Sequence, residues 1–318
     1  MNLQHGTPES LGIPSGAIVD MLDELYRCGI EMHAFMLLRH GKVCAQGNWA
    51  PYNPETPHIM FSFSKSLTST AIGFAVQEGI LSLDDRLIDI FPEQSPENPS
   101  ENLQKCQVRH VLMMGCGHET EIEWASGGSA DWVATFLHHP FVYEPGTHFM
   151  YNTAGTNLLS AIITKKTGQK LTEFLKPRLF QPLGMADVHC QAMPDGVEMG
   201  GAGMWIKIED MARFVQFVAN QGSWEGRQLL NPEWFHLATS KQIDNSGGWG
   251  GDPDWQAGYG FQFWRCAPEG VFRGDGAYGQ YGIVMTKQDA VLVIHSASMR
   301  LQAVLTSVWE KLLPAMAE

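Results

Sequence analysis

The sequence is poor in basic residues and contains no apolar run of transmembrane length. Lysine and arginine together number 21 against 34 aspartates and glutamates, which gives a formal net charge of -13. This balance argues against nucleic acid or an anionic membrane as the main partner, because both attract positive charge. The N-terminus also lacks a basic segment followed by an apolar one. Together these absences predict a soluble, cytoplasmic protein.

Several signatures of other protein classes are missing as well. The six cysteines are widely spaced without any Cys-x-x-Cys pair, which favours free, buried thiols over a disulfide framework. His118-Glu119 is not followed by the second histidine of a zinc helix, and the adjacent His138 and His139 point to opposite sides. No metal or cofactor is therefore expected. The absence of Gly-x-Ser-x-Gly removes the α/β-hydrolase class.

One short stretch stands out from this background, the Ser-x-x-Lys of Ser62 to Lys65, which occurs once in the chain. Apolar residues recur at helical spacing from Leu67 to Ala75, and Gly79 can end that helix in the left-handed conformation. Residues three apart share one helix face, so the Lys65 amine can take the proton of the Ser62 hydroxyl once burial lowers its pKa. The alternative is an ordinary capped helix with a solvated lysine.

The order of the elements predicts the fold class. Alternating strand patterns lie near both ends of the chain, and helical patterns fill its middle. We therefore expect an α/β (α+β) fold with one antiparallel sheet, built from N- and C-terminal segments and flanked by helices. A mainly helical region is inserted in it. The sheet region covers about residues 1–60 and 255–318, and the helical region about 61–254.

Tyr151 precedes a strongly predicted helix that runs from Ala154 to Lys166. Packing is the commoner role for a tyrosine at a helix entry. In the functional interpretation, a phenol near Ser62 and the Lys65 ammonium has its anion favoured by that charge, and it relays protons. The residues alone leave open which of Lys65 and Tyr151 is the principal base.

These pieces, in this order, resemble the superfamily of serine β-lactamases and penicillin-binding proteins, on the side of the class C enzymes and family VIII esterases. The resemblance covers nearly the whole chain. The other matching pieces are Pro8 to Pro14, Tyr151-Asn152-Thr153, Leu81 to Asp85, Gly201-Ala202-Gly203 and Gly258 to Phe261. It implies a single β-lactamase-like catalytic domain over residues 1–318, and hydrolysis through an acyl-enzyme on Ser62, with Lys65 and Tyr151 as the other catalytic residues.

The chain departs from the family pattern at two motifs. Thr153 stands where β-lactamases have an asparagine that contacts the substrate amide. A literal Lys-Thr-Gly occurs at 166–168, but there Gly168 ends the helix after Tyr151. The third family motif is better placed near residues 273–280.

The resemblance implies substrate contacts for this third segment. Its backbone is expected to approach the substrate closely, and the N–H of Ala277 joins that of Ser62 in an oxyanion hole. Arg273 is the candidate replacement for the missing lysine that grips a carboxylate, and Gly276 and Tyr278 are further candidate contacts, as is Thr153 of the second motif. An acyl pocket could be lined by aromatic residues, with candidates Trp124, Trp132, Trp205, Tyr278 and Tyr281.

The sequence therefore predicts a serine hydrolase that cleaves esters or amides of small molecules or peptides. β-Lactamase activity and D-amino-acid peptidase or carboxypeptidase activity are alternatives within the same chemistry. An alternative from another class is a penicillin-binding or sensor protein that is acylated without turnover. The oligomeric state is left undetermined.

Overall fold

The computed structural model describes residues 3–122, 131–247 and 251–316. The strands are β1 (Gln4–His5), β2 (Glu31–Arg39), β3 (Lys42–Asn48), β4 (His58–Ile59), β5 (His189–Cys190), β6 (Met204–Ile206), β7 (Ser223–Trp224), β8 (Arg227–Gln228), β9 (Trp264–Arg265), β10 (Val271–Gly276), β11 (Gln280–Met285) and β12 (Ala290–Ala297). They form one sheet of seven strands in the order β1-β3-β2-β12-β11-β10-β9, one of three in the order β4-β6-β5, and the pair β7-β8.

The helices lie mainly between β4 and β9 in the chain. Two of them continue as wider, π-type turns, over Lys176–Phe180 and Val308–Leu312. The α-helices are α1 (Ser15–Arg27), α2 (Ser64–Gln77), α3 (Leu87–Ile90), α4 (Glu101–Lys105), α5 (Val108–Leu112), α6 (Trp132–His138), α7 (Thr153–Thr167), α8 (Leu171–Leu175), α9 (Gln181–Leu183), α10 (Ile208–Ala219), α11 (Pro232–Thr239) and α12 (Leu301–Ser307).

The large sheet joins both ends of the chain, as the sequence predicts. Strand β12 pairs antiparallel with β2, so the last strand lies beside one of the first. The sheet is mixed, however, because the short edge strand β1 pairs parallel with β3. At the opposite edge of the sheet, β9 is short, and its two residues Trp264 and Arg265 pair antiparallel with β10.

Helices cover both faces of this sheet. The Tyr281 hydroxyl donates a hydrogen bond to the Leu301 carbonyl at the start of α12, so one face of β11 meets the C-terminal helix. The next residue, Gly282, faces Val215 of α10 on the opposite side. Strands buried on both faces read as continuous apolar runs, which is how β11 and β12 read here.

Helix α2 lies in the protein interior although much of it is polar. Every residue from Ser64 to Ala75 is buried. The hydroxyl groups on α2 donate to backbone carbonyls of two surrounding loops: Ser66 to Gln262, Ser69 to Phe261 and Thr68 to Gly200. Buried polar groups must be hydrogen-bonded, so these two loops fix the position of the helix that follows Ser62.

No helix in the described part of the chain is both long and apolar enough to cross a bilayer. All six cysteines have free thiols, four of them buried and Cys28 and Cys190 half-buried. Within the described ranges, no three histidine, cysteine or acidic side chains are grouped so as to hold a metal ion.

Candidate active site

Ser62 lies in a 3-10 turn, Phe61–Phe63, that runs directly into α2. The sequence predicts Ser62 and Lys65 on one face of the same helix, whereas the structure places Ser62 two residues before the first α-helical residue. Phe61 has a φ of 45°. A positive φ is uncommon for a bulky residue, and it persists only where contacts with the surrounding structure hold the backbone in that conformation. The half-buried Ser62 is therefore presented by a tightly constrained turn.

The Lys65 side chain points back at Ser62 and is almost completely buried. Its Nζ lies 2.9 Å from Ser62 Oγ, 2.7 Å from the Gly201 carbonyl oxygen and 3.3 Å from Thr153 Oγ1. An ammonium group can donate all three hydrogen bonds. A neutral amine can donate to Gly201 and Thr153 and use its lone pair to accept the Ser62 proton. The geometry thus suits both protonation states.

Burial lowers the pKa of Lys65 to about 7, although the nearby Glu121 and Asp275 carboxylates act in the opposite direction. A lysine in water has a pKa near 10.4 and is almost fully protonated at neutral pH. At a pKa of about 7 a large fraction is neutral. Lys65 therefore has the properties of a general base at physiological pH.

Tyr151 lies next to this pair, with Lys65 Nζ 4.9 Å from its ring centroid. The ring stacks on Trp264, with centroids 5.6 Å apart, and the hydroxyl is hydrogen-bonded to Ser62. The expected stabilisation of the phenolate is wrong. Burial, together with the Asp275 carboxylate, raises the pKa of Tyr151 well above its usual value. Tyr151 is thus a proton donor at neutral pH.

Strand β10 passes close to the turn that carries Ser62. A Cβ on Gly276 would lie 2.2 Å from the Met60 carbonyl oxygen, and one on Gly274 would lie 2.6 Å from Ser66 Oγ. The two glycines therefore let the strand approach the nucleophile turn, and Gly276 is buried there. A substrate contact by the backbone of Gly276 stays a prediction.

The residue after this strand, Ala277, is exposed. Within the described ranges its N–H donates to no acceptor. A free N–H beside the nucleophile turn suits an oxyanion hole together with the N–H of Ser62. The assignment of the two N–H groups stays a prediction.

Arg273 does not reach the cleft, and the prediction that it grips a substrate carboxylate is wrong. The side chain is completely buried. Its guanidinium donates to Asp275 at 2.8 Å and to the Asp254 carbonyl at 2.9 Å, and it lies over the Trp255 ring. Removing a buried arginine from such partners would leave the Asp275 charge uncompensated, so Arg273 is held in the interior.

Thr153 and Tyr278 contact the immediate neighbours of Ser62. The Thr153 hydroxyl accepts a hydrogen bond from Lys65 and so helps to orient the lysine side chain. Tyr278 is 44% exposed and adopts a φ of 64°. Its ring contacts that of Phe61, with centroids 5.1 Å apart. A direct substrate contact by either residue stays a prediction.

A largely apolar cavity of about 380 Å³ adjoins the Phe61–Tyr278 ring pair. Of the aromatic residues predicted for an acyl pocket, Trp205 and Tyr278 line it, whereas Trp132 and Tyr281 are buried in the core. Trp124 lies outside the described residues. The cavity is lined by His33, Tyr52, Pro57, His58, Ile59, Phe61, Trp205, Tyr278, Ser296 and Ala297.

The two histidines of this cavity belong to a cluster that the sequence does not reveal. His33 Nδ1 lies 2.8 Å from His58 Nε2, and the ring centroids of His58 and His295 are 4.7 Å apart. Burial lowers the pKa values of His58 and His295, so these two rings are neutral at pH 7. Neither of these two rings therefore brings a positive charge to the neighbourhood of the cavity.

Sequence reasoning also missed Glu121 and Asp275, the two carboxylates that act on Lys65. Glu121 lies 30 residues before Tyr151 in a stretch with no periodic pattern, so nothing local marks it. Asp275 lies within the segment assigned to the third motif, where no local pattern distinguishes its carboxylate from other acidic residues. Only the folded chain brings both carboxylates to the site.

Comparisons with known proteins identify the family of the chain. A family model described as Beta-lactamase matches residues 27–312. The chain is similar to the 6-aminohexanoate-dimer hydrolase of Paenarthrobacter ureafaciens, with 23% identity over 287 residues, or 82% of this chain and 71% of the relative. It is also similar to a D-aminopeptidase of Brucella anthropi, with 27% identity over 222 residues, or 58% of this chain and 42% of the relative.

A solved structure shows the same fold. The penicillin-binding protein homologue from Pyrococcus abyssi superposes with a TM-score of 0.73 at 17% identity, covering 94% of this chain and 79% of that one. Among the first curated relatives, the matched regions span between 41% and 71% of those proteins' own lengths.

Proposed function

The chain belongs to the beta-lactamase family, and we propose that it cleaves esters or amides through an acyl-enzyme on Ser62. Named hydrolases are among the proteins to which the chain is similar. The observation that carries the proposal is the buried Lys65 amine, 2.9 Å from the Ser62 hydroxyl and with a pKa of about 7. A serine hydroxyl is a weak nucleophile until an adjacent base takes its proton. The same proposal takes residues 1–318 as one catalytic domain.

In the acylation step, neutral Lys65 accepts the Ser62 proton as Oγ forms a bond to the substrate carbonyl carbon. The carbonyl π electrons move to oxygen. The resulting oxyanion accepts hydrogen bonds from the N–H groups of Ser62 and Ala277. The ammonium form of Lys65 keeps its hydrogen bonds to the Gly201 carbonyl and the Thr153 hydroxyl, so the proton is held near the reacting centre.

The intermediate collapses when the bond to the leaving group breaks. Tyr151 gives its proton to the leaving group and regains one from the Lys65 ammonium, which restores the neutral amine. Water then attacks the acyl-enzyme, with its proton taken by the same pair, and Ser62 regains its hydrogen. The raised pKa of Tyr151 supports the donor role, because a phenol that is easily ionised would hold no proton to give.

Tyr151→Phe tests the donor role, because it keeps the ring and its stack on Trp264 but removes the hydroxyl. We expect kcat for p-nitrophenyl butyrate to fall by roughly 10²-fold or more, the usual size of a general acid–base contribution. The thermal unfolding midpoint should change little. A variant with near-normal kcat would leave Tyr151 as a packing residue.

The substrate is proposed to be a short ester rather than a penicillin or cephalosporin. A β-lactam brings a carboxylate, and in the described part of the site Arg273 is buried and paired, leaving Lys65 as the nearby cation. It also brings a side-chain amide, whose usual asparagine partner is replaced by Thr153. Each poorly paired polar group costs roughly 1–3 kcal/mol.

We therefore expect kcat/KM for p-nitrophenyl butyrate to exceed that for nitrocefin by roughly two to four orders of magnitude on one preparation. In this proposal the butyryl group occupies the largely apolar cavity beside Phe61 and Tyr278. Steady turnover also separates an enzyme from a binding or sensor protein, which would release at most one equivalent of p-nitrophenol. If nitrocefin is the better substrate, the proposed ester preference is wrong.

A further inference from the structure

Glu121 is an exposed carboxylate fixed beside the nucleophile. Its Oε1 accepts a hydrogen bond of 3.0 Å from the N–H of Thr153, the first residue of α7. The hydroxyl of the same Thr153 contacts Lys65, which in turn contacts Ser62. Since the first N–H groups of a helix have no partner within the helix and carry partial positive charge, they hold a carboxylate well. One residue thus connects the carboxylate to the catalytic lysine.

The carboxylate has capacity for another partner. Across the described ranges, Glu121 forms no ion pair with a lysine, arginine or histidine, and its Oε2 accepts no hydrogen bond. An ionised carboxylate has about four acceptor sites, so a single backbone N–H leaves most of them open. Glu121 is held in place by the backbone and remains available to a ligand.

Three of the charged groups described near Ser62 are buried, namely Lys65, Arg273 and Asp275. Arg273 and Asp275 form a buried ion pair, and Lys65 is neutral in the form that takes the Ser62 proton. Among the charged groups described near Ser62, Glu121 is the exposed one. The pKa of Lys65 and the pKa of Tyr151 are both raised by Glu121, which places its carboxylate within electrostatic reach of the reacting groups.

We propose that Glu121 binds an ammonium group of the substrate, so that the protein selects esters and amides that carry a free amine a few bonds from the scissile carbonyl. This inference depends on the proposed acyl-enzyme hydrolase. Glu121 is a specificity residue in it, because it contacts the substrate without taking part in bond making. A substrate ammonium places its charge against Oε2, whereas a neutral group of equal size gains nothing there.

The test compares two esters that differ only in charge. D- or L-alanine methyl ester and methyl isobutyrate have the same shape, with an ammonium in one where the other has a methyl group. At pH 7 most of the α-amino groups are protonated. Hydrolysis of each ester is followed by the release of acid. The quantity compared between proteins is the ratio of the two kcat/KM values. This ratio cancels errors in active enzyme concentration and any effect of the variants on Lys65.

We expect the wild-type ratio to favour an alanine ester, and Glu121→Gln to lower it by about tenfold, the effect of losing one partly exposed charge-assisted contact. Glu119→Gln is the matched control, since it removes the same charge from an exposed side chain two residues away. That control should keep the wild-type ratio within about a factor of two, because Glu119 is not held against Thr153.

An unchanged ratio in Glu121→Gln, or an equal fall in Glu119→Gln, would overturn the inference. So would a wild-type protein that hydrolyses p-nitrophenyl butyrate through Ser62 but does not prefer an alanine ester to methyl isobutyrate. That last result would leave the proposed hydrolase intact. A wild-type protein that turns over none of these esters would overturn both proposals.

Discussion

Ser62→Ala is expected to abolish hydrolysis of p-nitrophenyl butyrate, lowering kcat by about 10⁴-fold or more, the scale seen when a serine nucleophile is removed from a hydrolase. The remaining site keeps Lys65, Tyr151 and the free Ala277 N–H but has no group to form the acyl-enzyme. A fluorophosphonate probe should label the wild-type protein once, and peptide mapping should find the adduct on Ser62. The alanine variant should not be labelled.

Ser64→Ala is the control for this prediction. Ser64 lies two residues further on, is completely buried and accepts a hydrogen bond of 3.1 Å from the Met204 N–H. Its loss should lower stability by about 1 kcal/mol, the usual net value of a buried hydrogen bond, but leave labelling of Ser62 intact. An adduct on Ser64 or Ser66, or labelling of Ser62→Ala, would show that the nucleophile is another residue.

Lys65→Met is expected to lower kcat/KM for p-nitrophenyl butyrate by roughly 10²- to 10⁴-fold, the range of a general base contribution. Methionine fills similar space in the interior without an amine. Because the lysine is neutral in a large fraction of molecules and buried, the variant should fold, and its thermal unfolding midpoint should not fall. Retention of activity within tenfold would make Lys65 a structural residue.

The wild-type pH profile tests the same assignment. The active form of Lys65 is the neutral amine, and its pKa of about 7 lies below the usual lysine value. Activity should therefore be low at pH 5, rise with pH through about 7, and level off above it. The acidic limb should be missing from the residual activity of Lys65→Met. A limb that persists in that variant would belong to another group.

Lys166→Met is the matched control for the lysine. Lys166 belongs to the literal Lys-Thr-Gly of the sequence, which lies at the C-terminal end of α7 with Gly168 in the left-handed conformation after it. Its exposed side chain is 3.6 Å from Asp85. Exposed pairs of this kind contribute about 0–1 kcal/mol. We expect Lys166→Met to turn over p-nitrophenyl butyrate normally. A large loss of activity in this variant would contradict the placement of the third motif near β10.

Much of the site's architecture follows from local sequence. The Ser-x-x-Lys spacing, the apolar period after it and Gly79 predict a helix starting close to Ser62, and the structure has α2 over Ser64–Gln77. The strand patterns near the N-terminus are present as the antiparallel pair of β2 and β3, which the turn at His40-Gly41 joins. The assignment of Gly168 to the end of α7 is also confirmed. Each depends on neighbours within a few residues, which a linear pattern records.

The sequence by itself determined the family, the α/β architecture and the three residues expected to do the chemistry, because order and spacing along the chain encode them. The tertiary structure alone decided their electrostatics. Burial lowers the pKa of Lys65 and raises that of Tyr151, and Arg273 forms a buried ion pair with Asp275. Glu121 is brought beside the lysine by a contact with Thr153 across 32 residues of chain. Burial and long-range charge are properties of the folded chain, so no local pattern carries them.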